Sequence, residues 1–136
     1  MALYAIRIKK GEDLRTAIAD FVAANNLSAS VVVSAVGSLS KATIRMAGAE
    51  STDDGIREFE GPFEVVSLIG VPQDTMHLHI ALSDKDGHVI GGHMKYGCIV
   101  HTTVELVLAD EPCLTFTREQ DPETGFDELV IKERET

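Results

Sequence analysis

Three histidines carry the most chemistry in this sequence. His77-Leu78-His79 places two imidazoles two residues apart within Met76–Leu82, a run with the composition of a β-strand. Residues i and i+2 of a strand point to the same face, so both rings leave one side of a sheet about 6–7 Å apart. The turn Asp84-Lys85-Asp86-Gly87 follows, and then a second strand, His88–Met94. This turn fits a three-residue hairpin loop, a type I turn closed by Gly87 in the left-handed conformation. In that register Asp84 faces His88, His79 faces His93 and His77 faces Lys95. Opposed residues share a face, so the imidazoles of His77, His79 and His93 meet on one patch.

Three nitrogen ligands with an open fourth position form a reactive or exchangeable zinc site. Imidazole also suits nickel, copper and iron. The expectation is one divalent metal, with zinc as first choice. The residues alone leave a plainer reading open, in which His77 and His79 are solvent-facing strand residues. Gly91-Gly92 bears on the choice: it either lets another backbone approach closely or marks a bulge that would turn His93 to the other face. His88 has the opposite parity and is expected to be exposed. His101 reads as a histidine at a strand start. Glu64 stands inside a strand, either as an edge salt bridge or as an inward carboxylate serving the site. Arg45 and Lys95 are the cations placed to hold a small anion. Ser34 and Ser67 lie in apolar runs and read as hydrogen-bonded core serines. The chain has no P-loop, no dinucleotide fingerprint and no nucleophile elbow.

These groups need a frame. Leu3–Ile8 reads as a strand ended by Lys9-Lys10-Gly11. Glu12-Asp13 open a helix at whose N-terminus negative charge is favoured; Leu14, Ile18, Phe21 and Val22 form its apolar stripe, and Asn25-Asn26 stop it. Strands are then expected at Ala29–Val36, broken by Gly37-Ser38, at Lys41–Met46, at Phe63–Ile69, in the histidine hairpin, at Thr102–Leu108, at Cys113–Thr117 and at Leu129–Ile131. Glu50–Gly55, with Asp53-Asp54, reads as an acidic loop. One helix against many strands joined by short turns predicts an α+β, sheet-rich single domain with a largely antiparallel sheet. Its core is expected over about 3–117, with 118–136 as an extension. A single helix cannot cover such a sheet, so the rest is expected to be buried by folding the sheet on itself or by oligomerisation.

Composition narrows the partners. The chain has 136 residues, enough for a core without disulfide or metal support, and a formal net charge of −10 from 12 Lys and Arg against 22 Asp and Glu. DNA affinity comes mainly from neutralising phosphates, and no dense basic run is present. Cys98 and Cys113 read as reduced thiols in a cytoplasmic protein. No signal peptide is evident, and no apolar run reaches the ~20 residues of a membrane span.

Three segments together resemble the PPC domain, the plants-and-prokaryotes-conserved domain also found in AT-hook nuclear-localised proteins. They are Gly11-Glu12-Asp13-Leu14 with Ala29–Ser38 and Ala42-Thr43-Ile44-Arg45; Gly61-Pro62-Phe63-Glu64-Val65-Val66; and His77-Leu78-His79-Ile80-Ala81-Leu82-Ser83 with Gly87 and Gly91-Gly92-His93-Met94. The resemblance, to the prokaryotic stand-alone type, implies a homotrimer and a metal on His77, His79 and His93. It also implies partner contacts at the segment containing Gly61 and Phe63. The Arg-Gly-Arg-Pro core of an AT-hook is absent, and Pro62 stands where plant members often carry Arg, so DNA is not expected as a partner. The function expected is an assembly or small-ligand-binding module. The alternative is a metal-dependent enzyme acting on a small anionic substrate at a subunit-boundary pocket.

Overall fold

The computed structural model describes residues 1–49 and 55–134. The acidic stretch expected as a loop, Asp53-Asp54 included, lies outside the described residues except for Gly55. The elements are β1 (Ala2–Lys9), α1 (Leu14–Ala24), β2 (Ser30–Arg45), β3 (Ile56–Val71), β4 (His77–Ser83), β5 (Val89–Met94), β6 (Ile99–Asp110), β7 (Leu114–Gln120) and β8 (Asp127–Glu133). Six strands form one antiparallel sheet in the order β1-β6-β2-β3-β4-β5, and β7 and β8 form a separate two-stranded sheet. The α+β, sheet-rich, one-helix architecture matches the expectation.

The sheet does fold on itself. The C-terminal end of β2 pairs with β5, Ile44 with Met94 and Arg45 with His93, so β2, β3, β4 and β5 close a ring. Inside it Leu39, Ile44, Leu78, Leu82 and Met94 are fully buried. At the other end α1 covers β1 and β6, burying Leu14, Ile18 and Val22 in the same cluster as Ile8, Val104, Leu106 and Leu108. Each such aliphatic side chain contributes about 1.5–3 kcal/mol by leaving water. The Asp13 side chain caps α1, accepting from Thr16 N at 2.9 Å and from Gly97 N at 2.6 Å.

Two expectations fail locally, for one reason. Gly37-Ser38 does not end a strand: β2 runs straight through it, with a register shift between Gly37 and Leu39. Gly37 is needed for proximity, since a Cβ there would lie 2.0 Å from the Thr103 carbonyl oxygen. Ser34 and Ser67 are exposed, not core serines. Each follows a bulge, between Val32 and Ser34 and between Val65 and Ser67, and an extra residue in one strand shifts the inside–outside alternation. Cys98 is buried and Cys113 exposed, both as free thiols. No described helix is long and apolar enough to cross a membrane.

Candidate functional site

The histidine hairpin forms as the turn chemistry dictates. Asp84 N donates to His88 O at 2.9 Å, Gly87 N donates to Asp84 O at 3.1 Å, and Gly87 has φ +82°. The ladder then runs without a shift through Ser83–Val89, Leu82–Ile90, Ala81–Gly91, Ile80–Gly92 and His79–His93. Gly91-Gly92 is therefore a close approach and not a bulge. A Cβ on Gly91 would stand 2.5 Å from Ile80 O, and one on Gly92 2.6 Å from Arg45 O. His93 keeps its parity and faces His79 across the ladder.

The three imidazoles converge. Ring centroids are 5.0 Å apart for His77 and His79, and 5.6 Å for His93 with either of them. One nitrogen from each lies within 4.8 Å of the others. His77 and His79 are exposed and His93 is half-buried. The Nδ1 of His93 is buried without a hydrogen-bond partner, a costly state for a polar atom unless something binds it. Burial, reinforced by the charges of Arg45 and Lys95, holds the His93 pKa down at about 3. Burial, then Arg118, also lowers that of His77. Neutral imidazole is the form that binds metal, so this donor set fits one divalent transition ion with an open position.

A cavity of about 390 Å³ opens beside His77 and His93. Arg45 and Lys95, the two expected anion holders, both line it; Arg45 is the ladder partner of His93. His77 pairs with Val71 of β3 and lies beyond the end of β5, so it has no ladder pairing with Lys95. The remaining expected contacts lie elsewhere. Glu64 is exposed on the outer face of β3, paired with Ser83, four residues along β4 from His79 or about 13 Å at strand rise. Gly61 and Phe63 border a different depression, with the Phe63 ring buried in the core. His88 is exposed, 3.5 Å from Asp84, and His101 stands in β6 away from the cluster.

Sequence reasoning missed three contributors. Arg15 is 8% exposed in the first turn of α1. It donates to Met94 O at 2.7 Å and Thr75 O at 2.9 Å, stacks 4.8 Å over Tyr96, and lines the cavity. Its position is readable afterwards: 15, 18 and 22 share one helical face, so an arginine sits on the apolar stripe. Arg118 of β7 and Glu128 of β8 line both this cavity and a second depression around His77 and His79. No local pattern signals them, because the hairpin β7–β8 reaches the site only through tertiary folding.

The comparisons with known proteins agree with this frame. The family model of the Plants and Prokaryotes Conserved domain matches residues 1–111. The bifunctional protein GlmU of a Synechococcus strain is 40% identical over 133 residues, 97% of this chain, yet the chain spans only 21% of that relative's length. A solved protein of Salmonella enterica superposes with a TM-score of 0.91 at 39% identity, over 98% of this chain and 94% of that one. A protein of Archaeoglobus fulgidus described as metal-containing shares the fold at a TM-score of 0.76 and 24% identity, over 96% and 94% of the two chains.

Proposed function

Since the chain belongs to the Plants and Prokaryotes Conserved domain family, we propose that it is a homotrimeric binding module. In this reading it holds one divalent transition metal, zinc first, on His77, His79 and His93, and offers the adjoining cavity to a small anion. The observation that carries the reading is the convergence of three imidazoles, one nitrogen of each within 4.8 Å of the others, together with a buried His93 Nδ1 that has no partner. The metal-containing relative from Archaeoglobus fulgidus supports it at the level of the fold.

A bound metal would supply Lewis acidity at its open position. Burial and neighbouring cations favour the neutral form of His77 and His93, and Arg45, Lys95 and Arg118 stand beside them. Support for self-association comes from the sheet face that α1 leaves uncovered. There Leu3, Val33, Val36, Val66 and Ile69 are each more than half exposed, and apolar patches of that kind mark interaction surfaces. Duplex DNA is disfavoured as a partner, because Lys and Arg number 12 against 22 Asp and Glu and four of the 12 turn into one cavity.

The test is metal content and mass in solution after purification without chelator. The wild type should carry one metal per chain and scatter as three times 14.7 kDa. His79→Ala should lose at least about 100-fold in zinc affinity, beyond the 10–100-fold typical of residues behind the ligands. His88→Ala should behave as wild type. Full metal retention in His79→Ala would overturn the site, and a monomer would overturn the assembly.

A further inference from the structure

On a chain with a net charge of −10, the cavity beside His77 and His93 gathers Arg15, Arg45, Lys95 and Arg118, four of the 12 Lys and Arg. They arrive from four places in the fold: the first turn of α1, the end of β2, the residue after β5, and β7. The two carboxylates also present, Asp127 and Glu128, are outnumbered two to one by these cations and ion-pair with none of the arginines. Among the described residues no ion pair within 4 Å involves Arg15, Arg45 or Arg118. Both Arg15 Nε and Arg118 Nε are buried without a hydrogen-bond partner, and Arg15 as a whole is 92% removed from solvent. Cations gathered in a partly enclosed cavity repel one another and a metal dication alike, and a bound anion relieves both repulsions. Guanidinium forks are also the side chains best matched to the paired oxygens of carboxylates and phosphates.

We propose that this cavity is an oxyanion site. It takes a small carboxylate- or phosphoryl-bearing molecule held by Arg45, Lys95 and Arg118, with Arg15 as the buried positioning residue, and its occupancy and metal occupancy at the histidines reinforce one another. The proposal deepens the small-ligand reading above; its anion half stands without the metal. The volume of about 390 Å³ suits a metabolite-sized molecule and excludes a polymer. Phe126, 53% exposed at the rim, offers an apolar surface to the rest of such a ligand. Because coupling between two ligands is reciprocal, the anion should tighten zinc by the same factor that zinc tightens the anion.

Titration calorimetry on the full chain at low salt tests this, before and after chelator treatment, with inorganic phosphate, malonate and the neutral analogue malonamide. One anion should bind per chain, malonamide should not, and zinc loading should tighten the anion severalfold. Phosphate without malonate assigns a phosphoryl ligand, and malonate without phosphate a carboxylate. Arg45→Gln and Arg118→Gln should each weaken the anion by tenfold or more with melting temperatures preserved. Lys132→Gln, which removes the 2.9 Å pair with Glu119 on the same hairpin, should change nothing. If zinc does not bind but the arginine-dependent anion does, the metal reading and the coupling fall while the oxyanion site stands. No binding at millimolar anion, equal binding of malonamide, or wild-type affinity in both arginine variants would overturn it.

Discussion

Two hairpins flank the site, and they are built to different standards. The histidine hairpin β4–β5 is the rigid one. It is pinned on both sides, β4 by β3 and β5 by β2, its turn is closed by backbone hydrogen bonds, and Gly91 and Gly92 let neighbouring carbonyls come within contact distance of the strand. Among the described residues the hairpin β7–β8 pairs with itself alone, through seven residue pairs. Among the described residues its base is tied down at Ser28: Phe116 N donates to Ser28 O at 2.8 Å, Ser28 Oγ donates to Leu114 O at 2.9 Å, and Arg134 donates to Ser28 Oγ at 3.3 Å. A metal on the proposed histidines would demand well-fixed ligand positions, and a hairpin pinned on both sides suits that demand. A ligand that must enter and leave is better served by an element attached at one end, and that element carries Arg118 and Glu128.

The same substitution in both hairpins gives the largest contrast. Gly92→Ala would push a Cβ to 2.6 Å from Arg45 O and 2.7 Å from Ile44 Cγ2. Backbone cannot move aside cheaply, so it should cost about 3 kcal/mol, measured by urea unfolding. Gly125→Ala meets nothing within 4 Å and suffers only from its φ of +75°, about 1 kcal/mol. Equal losses would erase the distinction between the hairpins.

A smaller effect should sharpen it from the other side. Ser28→Ala removes the hydroxyl that joins Leu114 and Arg134, worth about 1 kcal/mol. Amide exchange should therefore quicken about fivefold in β7 and β8 while β4 and β5 stay unchanged. Spread of the effect into β4 would mean that the hairpins open together.

A pH slope tests the histidine hairpin by itself. The His93 pKa is held at about 3 by burial first, then by Arg45, Lys95, His77 and Arg15, against ~6.5 when unfolded. Between those values the unfolded chain binds the extra proton, so this contribution is complete above pH 6.5 and is lost as pH falls toward 3. In chelated protein, stability should drop less from pH 7 to pH 4.5 in His93→Gln than in the wild type.

The same contrast governs what could be read in advance. His77, His79 and His93 sit within one local hairpin, where parity and turn chemistry fix which side chains meet; strand positions and the helix followed from patterns equally local. Arg45 and Lys95 were legible as cations near those strands. Arg118 and Glu128 were not, because nothing between residues 94 and 118 encodes that β7–β8 borders the depressions around His77 and His79. Glu64 stood out as a carboxylate in a strand, but the bulge between Val65 and Ser67 and the register with Ser83 set it along the face from the histidines. Bulges likewise exposed Ser34 and Ser67, since a period-two pattern carries no marker for one inserted residue.

The closure of β5 onto β2 has a consequence for the denatured chain. Every proposed metal ligand lies between residues 77 and 93, whereas the cavity needs α1, β2 and β7 brought together across most of the sequence. An unfolded chain keeps His77-x-His79 and a hairpin-forming segment that closes on a microsecond timescale, so it retains some affinity for the metal but none for the anion. Binding to the unfolded state subtracts from the protection a ligand confers. Zinc should raise the melting temperature by less than its native affinity implies, and an anion of equal native affinity should raise it by more.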